Sequence, residues 1–93
     1  MYVVVVSTRA KRSLKKYRKN GTLPVKKYDI AIEHLRAGKS LPTTYGDHPL
    51  KGDLVGYREF HLGYDLLVQY ECDKGLLIIT IVQVGTHPEL FGS

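Results

Sequence analysis

The sequence has one cysteine, no tryptophan and one methionine in 93 residues. A single thiol, Cys72, excludes an internal disulfide. It lies in a stretch of alternating apolar residues and reads as a buried, inert thiol, in keeping with a reducing compartment. Long apolar runs are missing as well. Tyr2–Val6 is too short for a signal-peptide core, and its basic residues follow it rather than precede it. Nothing approaches the roughly 18 apolar residues of a membrane helix. No membrane partner is expected, and the cytoplasm is the expected location. There is no histidine pair at i, i+4 and no paired cysteine, so no common zinc motif is present and neither a metal nor another cofactor is expected. A serine elbow is absent too, which disfavours covalent nucleophilic catalysis.

Carboxylates are scarce where cations are dense. Residues 1–40 hold Arg9, Lys11, Arg12, Lys15, Lys16, Arg18, Lys19, Lys26, Lys27, Arg36 and Lys39 against Asp29 and Glu33 alone. Residues 41–93 reverse the balance, with Lys51, Arg58 and Lys74 against seven carboxylates. Such a basic half suits a polyanion; a solvated helix face, an acidic protein or a membrane surface are the other uses of that charge. The size and the ordinary 43% hydrophobic and 25% charged content predict a single domain over residues 1–93.

Patterning predicts the order β-α-α-β-β-β. Tyr2–Ser7 is β-branched and short, a strand. Ala10, Leu14 and Tyr17 recur at i, i+4 and i+7 among lysines and arginines, so Thr8–Lys19 is an amphipathic helix with a basic outer face, capped by Ser7 or Thr8 and stopped by Asn20-Gly21. Pro24 opens a second helix with the stripe Val25, Tyr28, Ile32, Leu35, and Gly38 supplies a left-handed stop. Lys39–Asp53 reads as a long loop. Leu54–His61, Asp65–Cys72 and Leu76–Val84 read as strands, joined at Leu62-Gly63-Tyr64 and Asp73-Lys74-Gly75, the last apolar on both faces as befits a central strand. Gly85–Ser93 is a tail. The fold class is α+β: a small antiparallel sheet with a two-helix hairpin on one face.

Three of the four histidines lie in the second half. Strand parity puts Tyr57, Glu59 and His61 on one face and turns Arg58 and Phe60 to the other. Asp65 starts the next strand and should lie near His61. His48 arrives from the loop and His87 from the tail, so one concave site on the open face could gather His48, Glu59, His61, Asp65 and His87. Each has a duller reading: His48 as a surface loop residue, His87 before Pro88 as a turn residue, Glu59 and Asp65 as solvated polar residues, Phe91 as a core anchor. His34 is assigned no role. Together they suit metal-free RNA cleavage, which needs a base for the ribose 2′-OH, an acid for the departing 5′-oxygen and a cation near phosphorus. Two imidazoles with ordinary pKa values near 6.5 can divide the first two tasks. The phosphate contacts are expected from Lys11, Arg12, Lys15, Lys16, Arg18 and Lys19, with Lys51 and Arg58 further on. A metal-dependent nuclease and a non-catalytic basic RNA- or protein-binding module are the alternatives.

Three segments carry a resemblance: Leu41-Pro42 ahead of Asp47-His48-Pro49-Leu50-Lys51-Gly52; Gly56-Tyr57-Arg58-Glu59-Phe60-His61 with Asp65; and Val84-Gly85-Thr86-His87-Pro88-Glu89-Leu90-Phe91-Gly92. In order and spacing they resemble the YafQ-like branch of the RelE superfamily of toxins from bacterial toxin–antitoxin pairs. The resemblance implies a RelE-like fold and a ribosome-dependent endoribonuclease that cuts mRNA in the decoding site and is held inactive by an antitoxin. His48, His61, Asp65 and His87 fall on the family's catalytic positions. His87 would be the general acid, His48 or His61 the base, and Asp65 would orient an imidazole or contact RNA. Glu59 matches a site carboxylate that is Asp in some members, and Phe91 an aromatic that helps hold the substrate. Arg58 matches too, but its parity leaves phosphate contact and a structural role both open. Tyr64 stands where relatives often have Pro, and Leu66 where some have Trp.

Overall fold

The computed structural model describes residues 1–63 and 65–92. Strand β1 (Val3–Val6) leads into α1 (Thr8–Lys19) and α2 (Val25–Arg36). The strands β2 (His48–Pro49), β3 (Arg58–His61), β4 (Leu67–Asp73) and β5 (Ile78–Gly85) follow, and α3 (His87–Phe91) closes the described chain. The sheet order is β1-β5-β4-β3-β2. The α+β class and the helices on one face are as expected, but the sheet is mixed rather than wholly antiparallel: β1 runs parallel to β5, Val4 beside Ile79. Strand β5 is thereby hydrogen-bonded on both edges, a central strand as expected.

Helix α1 begins where the sequence places it. Ser7 is extended at the cap, and its hydroxyl accepts from the Ala10 amide, satisfying one of the amides that a helix start leaves free. Ala10 and Tyr17 are buried with Leu14 packed at the margin, and the outer lysines and arginines are exposed. In α2 the buried stripe is Tyr28, Ala31 and Leu35. Val25, expected in that stripe, is the first residue of the helix and is exposed. Gly38 takes the left-handed conformation at φ 72°, as predicted for the stop.

Two features escaped the periodicity. Inside the long loop, His48-Pro49 forms a two-residue edge strand paired with Glu59 and Arg58. And β5 carries a bulge: Gln69 pairs with Gln83 while Tyr70 pairs with Ile81, leaving Val82 as the extra residue. Strict alternation after Ile79 and Ile81 would send Gln83 into the core. The bulge turns it to the opposite face and delivers Val84 to the core instead.

The core lies between the helices and the rows Phe60–Val68–Val84 and Arg58–Tyr70–Ile81. Phe60 is fully buried against Tyr45 and Tyr70, with ring centroids 5.9 and 5.8 Å away. Cys72 is half-buried at the edge of this core. Leu66, standing where some relatives have Trp, is buried, and the Leu62 amide donates to its carbonyl at 2.8 Å to close the β3–β4 connection. The part of that turn predicted at Tyr64 lies outside the described residues.

Candidate active site

The face of the sheet away from α1 and α2 carries the titratable cluster. Four residues stand directly opposite one another across four strands: His48, Glu59, Gln69 and Gln83. His48 Nε2 lies 3.5 Å from Glu59 Oε2. The Gln69 amide donates to Glu59 Oε1 at 3.4 Å, and the Gln83 amide to Gln69 Oε1 at 2.8 Å. His61, two residues from Glu59 on the same face, stacks near His48 with ring centroids 6.1 Å apart. Parity therefore brings His48, Glu59 and His61 together. Glu59, however, is only 5% exposed. Its carboxylate is therefore covered, and its partners are the side chains beside it.

The segment that carries His48 is pinned from both faces. On the helix side, Asp47 accepts from Arg58 Nε at 3.2 Å and from the Tyr70 hydroxyl at 2.8 Å. Burial and the Asp47 carboxylate push the Tyr70 hydroxyl well above its ordinary pKa. Arg58 thus faces away from the histidines, as parity implies, and its Nε is committed to Asp47. On the other face, His48 Nδ1 meets the Gly46 carbonyl at 2.8 Å. A carbonyl only accepts, so Nδ1 is the donor there, and Nε2 is the ring nitrogen that faces Glu59. Gly46 is left-handed at φ 60°, and a β-carbon there would lie 3.0 Å from His61 Cδ2. A side chain at position 46 would displace that imidazole.

His87 and Phe91 occupy a second cluster. Thr86 caps α3 by accepting from the Glu89 amide while Glu89 accepts from the Thr86 amide at 2.8 Å, with Pro88 in the first turn. This is the reciprocal capping box of a Thr-x-x-Glu segment. Glu89 also accepts from the Tyr17 hydroxyl and pairs with Lys16 Nζ at 3.2 Å, which ties α3 to α1. The Thr86 amide, with help from Tyr17, holds the Glu89 carboxyl down to about 2, while burial and Glu89 push the Tyr17 hydroxyl up to about 12. His87 and Phe91 stack at 4.6 Å between ring centroids, both exposed. Between the clusters runs the row His61–Leu67–Gly85. Two strand spacings put His61 and Gly85 roughly 10 Å apart at their α-carbons.

Asp65 joins neither cluster. It lines a hollow of about 360 Å³ with Tyr17, Thr22 and Thr86, on the His87 side of the molecule. Lys11, Arg12, Lys15, Lys16, Arg18, Lys19 and Lys51 are exposed, with Lys16 also held by Glu89.

Sequence reasoning missed Gln69 and Gln83. Their signal was their polarity within apolar strands, but only the bulge sets them side by side. It missed α3 as well, although Thr86-x-x-Glu89 with Pro88 is a readable helix start. A possible ligand set also escaped spacing arguments: single donor atoms of His48, Glu59 and His61 lie within 4.8 Å of one another. Two imidazoles and a carboxylate on one side of an open position fit a first-row transition metal, and the Gly46 carbonyl behind Nδ1 would orient one ligand.

Comparison with known proteins settles the family. Residues 2–92 match the family of bacterial toxins of type II toxin–antitoxin systems, YafQ. The chain belongs to the YafQ toxin family. The mRNA interferase toxin YafQ of Escherichia coli K12 is 42% identical over 52 residues, 56% of this chain and 54% of that protein. The match thus spans about half the length of that curated relative. A metal-bound toxin from Helicobacter pylori superposes with a TM-score of 0.89 at 36% identity, covering 98% of this chain and 100% of the other. YafQ in the E. coli DinJ–YafQ complex superposes at 0.84 with 26% identity over 99% and 100% of the two chains. The expected resemblance to YafQ-like toxins is thereby established. Among the described residues no helix is long and apolar enough to cross a membrane.

Proposed function

We propose that this YafQ-family chain is a ribosome-dependent endoribonuclease toxin that cleaves translated mRNA by metal-free acid–base catalysis. The observation that carries this reading is the arrangement of two imidazole clusters on opposite sides of Leu67. In-line attack of a ribose 2′-OH on the adjacent phosphate expels the 5′-oxygen on the far side of phosphorus, so base and acid must stand apart. His48 or His61 takes the 2′-OH proton, and His87 protonates the departing 5′-oxygen. The products are a 2′,3′-cyclic phosphate and a 5′-OH. Phe91, stacked on His87, offers a face to a base, and Asp65 contacts RNA or the acid side of the site from the neighbouring hollow. Positioned acid–base groups each contribute roughly 10²–10⁴-fold. The exposed lysines and arginines of α1, with Lys51, supply salt-sensitive contacts to mRNA and ribosomal RNA. Arg58 acts structurally through Asp47.

The partner is a small antitoxin, by analogy with DinJ bound to YafQ, offering acidic or amphipathic segments to the basic helix or the histidine face. The cytoplasm, where mRNA is translated, is the location this function requires. Induction in cells followed by mapping of 5′ ends tests the reading. Growth arrest with codon-phased cuts that vanish in His87→Ala is the expected result; wild-type cutting that survives the change removes His87 from its role.

The ligand set of His48, Glu59 and His61 favours one second reading. A transition metal held there would supply Lewis acidity or an activated water, and the H. pylori relative is described as metal-bound. EDTA at a concentration that strips transition metals but spares ribosome-bound magnesium discriminates: it abolishes cleavage that depends on a transition metal and leaves acid–base cleavage unchanged.

A further inference from the structure

The hollow that Asp65 lines is kept open by a residue with no side chain. Gly63 lines it too, and its φ lies outside the left-handed region, so the backbone does not demand glycine there. A β-carbon at that position would stand 3.7 Å from Pro24 Cγ, another part of the wall. A longer side chain would fill the space. At about 360 Å³ the hollow falls within the roughly 300–1,000 Å³ typical of small-ligand sites. Its walls are largely apolar: Tyr17 and Leu66 are buried and Pro24 is half-buried.

Two polar groups on it have defined hydrogen-bonding character. Asp65 is exposed, and as a carboxylate it only accepts. Asn20 Oδ1 accepts from the Thr22 amide at 3.2 Å and from the Thr22 hydroxyl at 2.5 Å. Those contacts fix the orientation of the Asn20 amide and leave its NH₂ to donate. An apolar slot with a carboxylate and an amide donor suits a flat ring that presents two adjacent donors beside an acceptor. Of the four RNA bases only guanine does so. Its N1–H and 2-amino group meet a carboxylate together, and O6 lies next to them for the amide. Adenine and cytosine bring an unprotonated ring nitrogen up to the carboxylate, and uracil flanks its single N3–H with two carbonyl oxygens. Unstacked RNA bases are read on this edge.

The hollow's position gives that base its place in the substrate. Thr86 lines the hollow and is the residue before His87. The 5′-oxygen that His87 protonates belongs to the nucleotide 3′ of the cut, so the base of that nucleotide is the one within reach. Asn20 also borders the basic surface of Arg12, Lys15, Lys16 and Lys19, which offers cations to the phosphates that follow. We propose that the hollow is a guanine-reading subsite for the nucleotide 3′ of the scissile phosphate, with Asp65 on N1–H and the 2-amino group and Asn20 on O6. RNA then runs from His48 and His61, past His87, onto the last turn of α1. The placement 3′ of the cut rests on the acid–base reading above and adds a sequence preference to it.

Titrating the protein with single nucleotides, followed by amide NMR, tests the subsite without catalysis. 5′-GMP shifts Asn20, Thr22, Gly63 and Asp65 and binds about tenfold more tightly than 5′-AMP or 5′-UMP, the equivalent of one charge-assisted hydrogen bond in a solvent-exposed site. 5′-IMP, which lacks only the 2-amino group of 5′-GMP, binds several-fold more weakly than it. Asp65→Asn removes the preference. Asn20→Asp keeps the acceptor for Thr22 but loses the NH₂, and removes it as well; Gly63→Val abolishes binding of every nucleotide. In cleavage mapping on translated mRNA, guanine follows the wild-type cut several-fold more often than its share of the message predicts. That bias, a ratio within each sample, is lost in Asn20→Asp whatever rate remains. Equal affinities for 5′-GMP and 5′-AMP, shifts confined to other parts of the molecule, or wild-type cuts without the guanine bias overturn the proposal. A protein that binds 5′-GMP in the hollow and never cleaves keeps the base site and refutes the nuclease reading; one that cleaves without regard to the base does the reverse, so the two failures are separable.

Discussion

Replacing Tyr17 by phenylalanine removes one hydroxyl and tests what seats His87. In the folded protein that hydroxyl donates to Glu89, whose carboxylate also caps α3 through Thr86. A hydrogen bond to a charged group contributes roughly 1.5–3 kcal/mol. The Glu89 side chain is 42% exposed, so solvent screening brings the expected loss to about 1 kcal/mol. For a domain of this size that is about 4–8 °C in Tm. The loss depends on pH in a defined direction. Glu89 has its carboxyl held to about 2 in the fold against an ordinary 4.5. A depressed carboxyl contributes stability fully above its unfolded value and loses it as pH falls through the folded one. The gap between wild type and Tyr17→Phe is therefore full at pH 7, still mostly present at pH 3, and shrinks by more than half only as pH falls to about 2. It closes again in alkali, because the raised Tyr17 hydroxyl contributes below pH 10 and loses that contribution as pH rises through about 12. Urea titrations at pH 7, 5 and 2 measure the gap, and mRNA cleavage at pH 7 should fall several-fold as α3 loosens. A gap that is absent at pH 7, or is the same at pH 7 and pH 2, refutes the assignment of this contact.

Other perturbations have equally definite outcomes. Phe60→Ala, at the fully buried centre of the core, costs about 3–5 kcal/mol in chemical denaturation. Gly46→Ala meets both a left-handed backbone and a β-carbon 3.0 Å from His61; a loss of about 1 kcal/mol with displaced His61 NMR signals is expected, and unmoved signals contradict it. Arg58→Ala removes a partner from Asp47 and should raise amide exchange most at residues 46–48 and least at β5, without changing the salt dependence of RNA binding. Lys15→Ala and Lys19→Ala should each reduce the slope of log affinity against log salt by about 0.7 on single-stranded RNA, and an unchanged slope removes α1 from the RNA interface.

The parts legible in the sequence were those governed by local pattern. Ser7 and the 10-14-17 stripe set α1, and parity alone separated Phe60 and Arg58 from Glu59 and His61. What stayed hidden depended on pairing between distant strands. His48-Pro49 is too short to show a period, and only its register with Glu59 and Arg58 makes it a strand. The bulge at Val82 reverses the face of Gln83, an event with no local signature, so the polar row and the burial of Glu59 could not be read. Asp65 was expected near His61 because it follows a turn, yet it lines the hollow beside Tyr17 and Thr86. Helix α3 was legible and overlooked: Thr86, Pro88 and Glu89 spell its start.

The most direct test of acid–base cleavage is the chemistry of the ends it leaves. Translating ribosomes programmed with a defined mRNA are treated with the purified protein in EDTA at a concentration that spares ribosome-bound magnesium, and the fragment termini are determined. Cleavage by wild type and none by His87→Ala, with 2′,3′-cyclic phosphate and 5′-OH ends, is the predicted result. Ends bearing a 5′-phosphate, or cleavage lost on chelation and restored by a transition metal, would contradict it.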